Sequence, residues 1–525
     1  MIQIDIGPLS DTYDFLSNAL VFAGQNMSYF DPTRPPFFSF LLSLIFRAGY
    51  VSINSIFILD GLLYIFGVIG LYFLLKIHFN DIESFLGALL YATFHTILVT
   101  VGYGFSDLAS VSFTIWTLYF LILAVKRDSK FFYLTFPLAM LAFLTRYNSA
   151  LIIFPILLYI LINKTEIKNI KNIFIGISAS VLLLIPVFIF FHQKFGNILY
   201  PFTSSFGMTS NTISSGNIAY DPNLFFFIDR LPLFIGLEGT FVLLSIIAGF
   251  FIYAIFKFKQ KPKKWPTELK VEKQSIKVKL ILFGFLTLLF VSSFGKFHYM
   301  LSEILFFVLS YLFYDLIKNL KIKDMDIHLL ILSWFMAFFI FHSIFAIKDN
   351  RYFVIMAPSV AYFLILGLSK ISNKFAIKIK KCNATFPLLA VVLTIMILFS
   401  AVSTMPEIKE ANSNYKVTNE GVSLASDWFI NYDTDYKNKV IYSDLWPQFS
   451  WYLKTNVKIM PEFKGNQKFY SGMTNNNLTP QDNVKYNEEL ENNNADYYFS
   501  VRQGLNLTYY KPVKQFGNLI IYKKL

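Results

Sequence analysis

Long apolar runs separated by short basic segments constrain this chain more than any other feature. Of its 525 residues, 55% are hydrophobic and only 15% are charged, against a charged share of roughly 25% in soluble domains. A single soluble core is too small for so many apolar residues, so the sequence predicts a polytopic α-helical membrane protein. Twelve runs are placed as candidate spans, at 53–79, 83–101, 108–125, 131–144, 148–162, 173–191, 231–256, 280–296, 300–317, 328–346, 352–369 and 385–404.

The net charge of +13 lies almost entirely between these runs. Residues 1–405 carry 32 basic and 20 acidic residues, whereas residues 406–525 carry 14 and 13. The positive-inside rule places basic loops on the cytoplasmic face, so both termini are predicted outside a plasma membrane. This placement explains the basic charge without a nucleic-acid partner. The basic loops are 126–130, 163–172, 257–279, 318–327 and 370–383.

Residues 406–525 differ in character from the rest of the chain. They are rich in Asn, Lys and Tyr, and short alternating segments predict four strands, together with two helix-like stretches. The sequence therefore predicts a membrane-embedded domain over 1–405, with an outer acidic loop and an interfacial helix in 1–52, and a C-terminal extracytoplasmic α/β domain over 406–525. The predicted strands are 439–443, 456–460, 495–501 and 518–523, and the predicted helices are 418–431 and 446–453.

Charged residues beside the apolar runs are costly, which makes them candidates for function. Asp11 and Asp14 lie in SDTYDF, and Arg34 precedes two prolines that open the amphipathic run FFSFLLSLIFRAG. This run is too short to span a bilayer and predicts an interfacial helix, with Arg34 level with lipid phosphates. The alternative is a solvated loop in which Ser10 or Asp11 caps a helix over 12–23.

Three further charged motifs follow along the chain. Asp107 opens the third span in GYGFSDLASVSF, Arg146 lies in LTRYN between two short apolar runs, and Arg351 with Tyr352 lies in KDNRYFVIMAP. The two short runs predict a hairpin of half-buried helices around Arg146. Helix capping for Asp107 and snorkelling for the arginines remain alternative explanations.

Taken in order, these motifs resemble those of the GT-C glycosyltransferases. The acidic motif, the R-P-P helix start, the second acidic residue, the LTR hairpin and the RY segment ending at Pro358 span residues 11 to about 360. The similarity is greatest to the dolichyl-phosphate-mannose protein mannosyltransferases and the lipid A aminoarabinose transferases. Members begin with a membrane helix that leads into the acidic motif, so we expect that helix to be dispensed with here or the start to be assigned too late. Thr12 also replaces the Glu that usually follows Asp11.

The resemblance implies transfer of a sugar, with inversion, from a polyprenyl-phosphate donor of the dolichyl-phosphate type to a protein, lipid or glycan acceptor on the outer face. It implies that Asp11 is the catalytic base and that Asp107 is the second catalytic acidic residue. A phosphate leaving group needs cations and no general acid, and Arg34, Arg351 and Arg146 can supply them. The supporting residues are Asp14, Tyr352, His298 and Glu303.

No cofactor is predicted. His298 beside scattered carboxylates is more often a surface or acceptor-binding group than a metal ligand, although a divalent metal stays an alternative. Two other functions remain open. A multi-pass lipid or sugar transporter or flippase would show internal repeats, and the two halves of the sequence do not match. An oligosaccharide ligase or oligosaccharyltransferase would take a diphosphate-linked glycan.

Overall fold

The computed structural model describes residues 7–205, 219–258, 273–320, 322–375, 378–379, 382–464, 467–469 and 478–525. Most of these residues are helical. The helices that precede the C-terminal sheet domain are α1 (Ser10–Phe22), α2 (Pro36–Arg47), α3 (Asn54–Leu75), α4 (Asp81–Thr93), α5 (His95–Thr100), α6 (Ser106–Lys126), α7 (Phe132–Thr145), α8 (Ile153–Ile162), α9 (Lys171–Leu182), α10 (Leu184–Phe195), α11 (Phe226–Asp229), α12 (Leu231–Phe258), α13 (Lys273–Ser293), α14 (Tyr299–Ile317), α15 (Met325–Ile344), α16 (Ala357–Ser372) and α17 (Thr385–Ala411). Short 3-10 segments include Tyr147–Ile152 and Asn350–Phe353.

The C-terminal domain is built on a five-stranded mixed sheet of β3 (Ile441–Ser443), β4 (Lys458–Ile459), β7 (Tyr497–Ser500), β8 (Tyr510–Phe516) and β9 (Leu519–Lys524). The order of the strands is β4-β3-β7-β9-β8. Strand β3 is parallel to β4 and β7, and β9 is antiparallel to β7 and β8. The predicted strands and helices of this region are confirmed, whereas strands Glu462–Lys464, Gln467–Phe469 and Tyr510–Phe516 and helix Pro480–Asn492 were not predicted. The elements are α18 (Ser413–Tyr432), β3 (Ile441–Ser443), α19 (Trp446–Leu453), β4 (Lys458–Ile459), β5 (Glu462–Lys464), β6 (Gln467–Phe469), α20 (Pro480–Asn492), β7 (Tyr497–Ser500), β8 (Tyr510–Phe516) and β9 (Leu519–Lys524), after a small hairpin of β1 (Lys378–Ile379) and β2 (Cys382–Asn383).

The predicted membrane architecture is confirmed. Eight helical segments among the described residues are long and apolar enough to cross a membrane, and four further apolar helices are shorter. The count of twelve spans therefore stays a prediction. The prediction of one continuous span over 83–101 is wrong, because Phe94 leaves the helical conformation, with φ −50° and ψ 135°, and divides α4 from α5.

The helix predicted over 12–23 is confirmed, but the acidic segment is not a solvated loop. Residues 10–22 form α1, and every residue from Thr12 to Leu20 is buried. The helix is covered because α2 packs on one side of it and α19 of the C-terminal domain packs on another. Its cap is Leu9, with no side-chain hydrogen bond, so capping by Ser10 or Asp11 is also ruled out.

Helix α2 lies where the interfacial helix was predicted, with Phe38 and Leu42 buried and Phe40 and Leu44 exposed on the other side. Its position relative to a membrane stays a prediction. Helix α17 continues past residue 406 to Ala411, so the proposed domain boundary falls inside a helix.

Candidate active site

A cavity of about 780 Å³ lies where several helices begin or end on one side of the bundle. Helix α6 begins there and ends at the basic loop 126–130, and α14 begins there and ends beside 318–327. The cavity is therefore at the opposite end of these helices from their basic loops. Loop 257–279 lies mostly outside the described residues. The sequence-predicted residues that line the cavity are Asp11, Arg34, Asp107, Arg146, His298, Arg351 and Tyr352.

Asp11 is held between two arginines. Arg34 Nη2 donates to Asp11 Oδ1 at 3.0 Å, and Arg351 Nη1 donates to Asp11 Oδ2 at 2.9 Å. Burial disfavours the charged form, but the charges and hydrogen bonds of the two arginines outweigh it and hold the pKa of Asp11 well below its usual range. The side chain is 28% exposed. Asp11 is therefore an ionised carboxylate with access to the cavity.

Asp14, one turn further along α1, lies beneath Arg34 and does not line the cavity. Its Oδ2 accepts from Arg34 Nε at 3.0 Å and Nη2 at 2.7 Å, and its Oδ1 accepts from the Tyr29 hydroxyl at 2.7 Å. Burial raises the pKa of Asp14 to about 7, against the charge of Arg34 and with the help of Asp31 and Asp11. These hydrogen bonds hold the guanidinium of Arg34 in place.

Asp107 forms an ion pair with Arg146. Asp107 is in the first turn of α6 and is 4% exposed. Arg146 has an extended backbone in the turn that follows α7, where a turn was predicted. Its Cζ lies 5.4 Å from the centre of the Tyr352 ring. Arg146 is 20% exposed. The geometry therefore makes Asp107 an anchor for Arg146, with little surface of its own in the cavity.

Arg351 is fixed by three neighbours. Its Nη1 bonds to Asp11, its Nε lies 3.1 Å from Asp349 Oδ2, and its Cζ lies 4.7 Å from the centre of the Phe105 ring. Asp349 begins the 3-10 segment by accepting from the Arg351 backbone N–H at 2.9 Å. The side chain of Arg351 is 24% exposed, so part of the guanidinium remains accessible to a ligand.

The last two predicted residues lie apart from this arrangement. His298 lines the cavity, and its Nδ1 accepts from the Met300 backbone N–H at 3.4 Å at the start of α14. Glu303, one turn later, is 1% exposed and does not line the cavity, and its carboxylate has no hydrogen-bond partner among the described residues. Within the described ranges, no group of three His, Cys, Asp or Glu side chains could hold a metal ion.

His342 is a cavity residue that sequence reasoning missed. Its ring stacks on Tyr352 at 4.7 Å between centres, and its Nε2 lies 3.3 Å from Asn148 Nδ2. Lys348 caps the C-terminal end of α15. Its Nζ donates to the backbone carbonyls of His342 and Ser343, each at 2.7 Å. A histidine inside an apolar run was the available signal, because polar residues in spans are seldom retained without a role.

One protein family and two solved structures are similar to this chain. Residues 33–190 match the model of the dolichyl-phosphate-mannose-protein mannosyltransferase family. The crystal structure of ArnT from Cupriavidus metallidurans bound to undecaprenyl phosphate is similar at a TM-score of 0.57 and 11% identity, over 100% of this chain and 95% of that chain. ArnT in the apo state gives 0.55 and 11%, over 99% and 94%. No curated protein matches the sequence.

These findings confirm the predicted resemblance and fold class. The chain is a multi-pass membrane protein with a GT-C fold and a small C-terminal sheet domain. The match to the mannosyltransferase family model agrees with the predicted enzyme class, a glycosyltransferase. At 11% identity, the two ArnT structures establish the fold, and the donor and acceptor are inferred from the residues of the site.

Proposed function

We propose that this protein is a membrane glycosyltransferase that moves a sugar from a polyprenyl-phosphate donor to an acceptor, with inversion. One observation carries the proposal. Three arginines, Arg34, Arg146 and Arg351, reach the same cavity as the accessible carboxylate of Asp11, and each remains between 20% and 24% exposed. Guanidinium groups bind phosphate through paired, charge-assisted hydrogen bonds. The cavity thus supplies cations for a leaving phosphate and a base for an attacking group.

The donor phosphate competes with Asp11 for the same arginine donors. Without a donor, the bonds from Arg34 and Arg351 stabilise the charged carboxylate and make it a weak base. A phosphate that takes up these donors withdraws them from Asp11 and raises its proton affinity. Donor binding therefore prepares the base, which can then accept the proton of the attacking hydroxyl or amide. The phosphate leaves as a stable anion held by the arginines.

The proposed orientation puts the cavity on the extracytoplasmic face of a plasma membrane. It is supported by the basic loops 126–130 and 318–327, which lie at the opposite ends of α6 and α14 from the cavity. The N-terminus and the C-terminal domain would lie on the cavity side. Charges gathered at one end of the bundle suit an enzyme better than a transporter, which needs a polar path across the membrane midplane.

The test is a transfer assay on purified protein with a panel of polyprenyl-phosphate sugars, in which released polyprenyl phosphate is measured. We expect Asp11→Asn to lower the rate by roughly 10²- to 10⁴-fold, the usual contribution of a general base. Asp128→Asn is the matched control, because Asp128 is an exposed carboxylate in the basic loop 126–130. Wild-type activity in Asp11→Asn, or equal losses in both variants, would overturn the assignment of the base.

A further inference from the structure

Helix α19 of the C-terminal domain contacts the helix that carries Asp11 and Asp14. Trp446, the first residue of α19, donates from Nε1 to the Tyr29 hydroxyl at 3.2 Å. That hydroxyl in turn donates to Asp14 Oδ1 at 2.7 Å. Asp14 Oδ2 accepts from Arg34, which also bonds to Asp11. A continuous series of hydrogen bonds therefore runs from the C-terminal domain to the candidate base.

The start of this series is fixed within the C-terminal domain. Asp444, two residues before Trp446, accepts from Arg502 Nε at 2.9 Å, from the Tyr498 hydroxyl at 2.8 Å and from Ser500 Oγ at 2.7 Å. Asp444 and Arg502 are each only 1% exposed. A buried, multiply bonded ion pair is rigid because breaking any part of it leaves an uncompensated charge. The sheet thereby sets the position of Trp446.

Apolar contacts seat the rest of α19 on the same surface. Trp451 packs against Phe46 of α2 with ring centres 6.2 Å apart, and Tyr452 packs against Tyr13 of α1 at 6.2 Å. Trp451 belongs to the same buried cluster as Tyr13 and Phe46. The domain is therefore held against α1 over a surface wider than the single hydrogen bond.

We propose that the C-terminal domain completes the active site, and that Trp446 is a positioning residue that acts through Tyr29 on Asp14 and Arg34. The role assigned to Arg34 and Asp11 rests on the proposed function. Trp446 does not line the cavity, so it does not touch a substrate bound in the cavity. It fixes the hydroxyl of Tyr29, whose bond fixes Asp14, and Asp14 fixes the guanidinium that binds both Asp11 and the phosphate.

The test compares three substitutions to phenylalanine. Trp446→Phe removes the Nε1–H donor together with part of the aromatic ring, and the loss of the hydrogen bond should lower kcat roughly fivefold. Tyr29→Phe removes a bond to a carboxylate and should lower kcat roughly tenfold or more. Trp428→Phe in α18 loses the same ring atoms and is the matched control, because Trp428 packs on Tyr432 and Phe516 within the C-terminal domain. It should stay within about twofold of wild type. Acceptor KM should not change in any variant.

A second measurement needs no substrate. The Tyr29 hydroxyl bond lowers the pKa of Asp14, so its loss moves the pH dependence of the unfolding transition to higher pH. We expect this shift in Tyr29→Phe, a smaller shift in Trp446→Phe, and none in Trp428→Phe. Wild-type kcat and wild-type pH dependence in both Tyr29→Phe and Trp446→Phe would overturn the proposal. If no donor supports transfer by wild-type protein, the proposed function fails, and the unfolding data still decide whether Trp446 and Tyr29 act on Asp14.

Discussion

Replacing Asp14 by asparagine should remove much of the pH dependence of stability between about pH 4 and pH 7. Asp14 is 1% exposed, and its pKa in the folded protein is about 7 in place of the ordinary 3.8. The folded protein therefore keeps a proton that the unfolded chain releases in this range. The free energy of unfolding falls as pH rises from about 4 to about 7 and is level above that.

The size of the effect follows from the pKa of Asp14. A folded pKa of about 7 against 3.8 corresponds to a loss of roughly 4 kcal/mol across the whole range. Asparagine carries no charge at any pH, so this loss is absent from Asp14→Asn. The difference between wild type and variant should therefore be greatest in their pH slopes, whatever the two stabilities are at a single pH.

The assay is unfolding of the purified protein in detergent at pH 5, 6, 7 and 8, with the transition followed for both proteins. Asp128→Asn, the same substitution at an exposed position of the loop 126–130, serves as the control and should keep the wild-type slope over this range. Equal slopes in wild type and Asp14→Asn would refute the argument from the burial of Asp14.

Three further predictions test other parts of the structure. Arg351→Lys should weaken binding of a polyprenyl phosphate about tenfold or more, measured by direct titration, because lysine lacks the planar set of donors that bonds a carboxylate and a phosphate together. Arg502→Met should lower the free energy of unfolding by about 3 to 5 kcal/mol in chemical denaturation, because it leaves Asp444 buried without its partner. Single cysteines replacing Lys168 and Lys437, with the native cysteine removed, should react with an impermeant reagent from opposite sides of the membrane; labelling from the same side would contradict the proposed topology.

Much of the fold could be predicted because it depends on local patterns. The length of an apolar run and the charges that bound it fix whether a helix can cross a bilayer. The alternation of Ile, Tyr and Val fixed four of the strands in the C-terminal domain, while β8 escaped because its exposed lysines and Pro512 weaken the pattern. The break at Phe94 also escaped, since one residue with non-helical backbone leaves no mark in an apolar run.

The members of the candidate site could be listed from the sequence, but their roles could not. Asp11 and Asp14 are one turn apart on the same helix, and only the folded protein shows that Asp11 meets the cavity while Asp14 lies beneath Arg34. The same holds for Asp107, whose partner Arg146 is 39 positions away in a different helical hairpin. Glu303 was included for its position along the chain, and packing turned it away from the cavity.

The sequence by itself determined that this protein lies in a lipid bilayer and which charged residues lie near one membrane face. Both follow from hydrophobicity and charge patterns that extend over only a few neighbouring residues. The tertiary structure decided which charges pair, and with what exposure. It also showed that α1 is buried beneath the C-terminal domain, where the sequence allowed a helix in a solvated loop. The physical reason is distance along the chain: Asp11 and Arg351 are 340 positions apart, and Tyr29 and Trp446 are 417 apart. Hydrogen bonds between such residues exist only once the whole chain has packed.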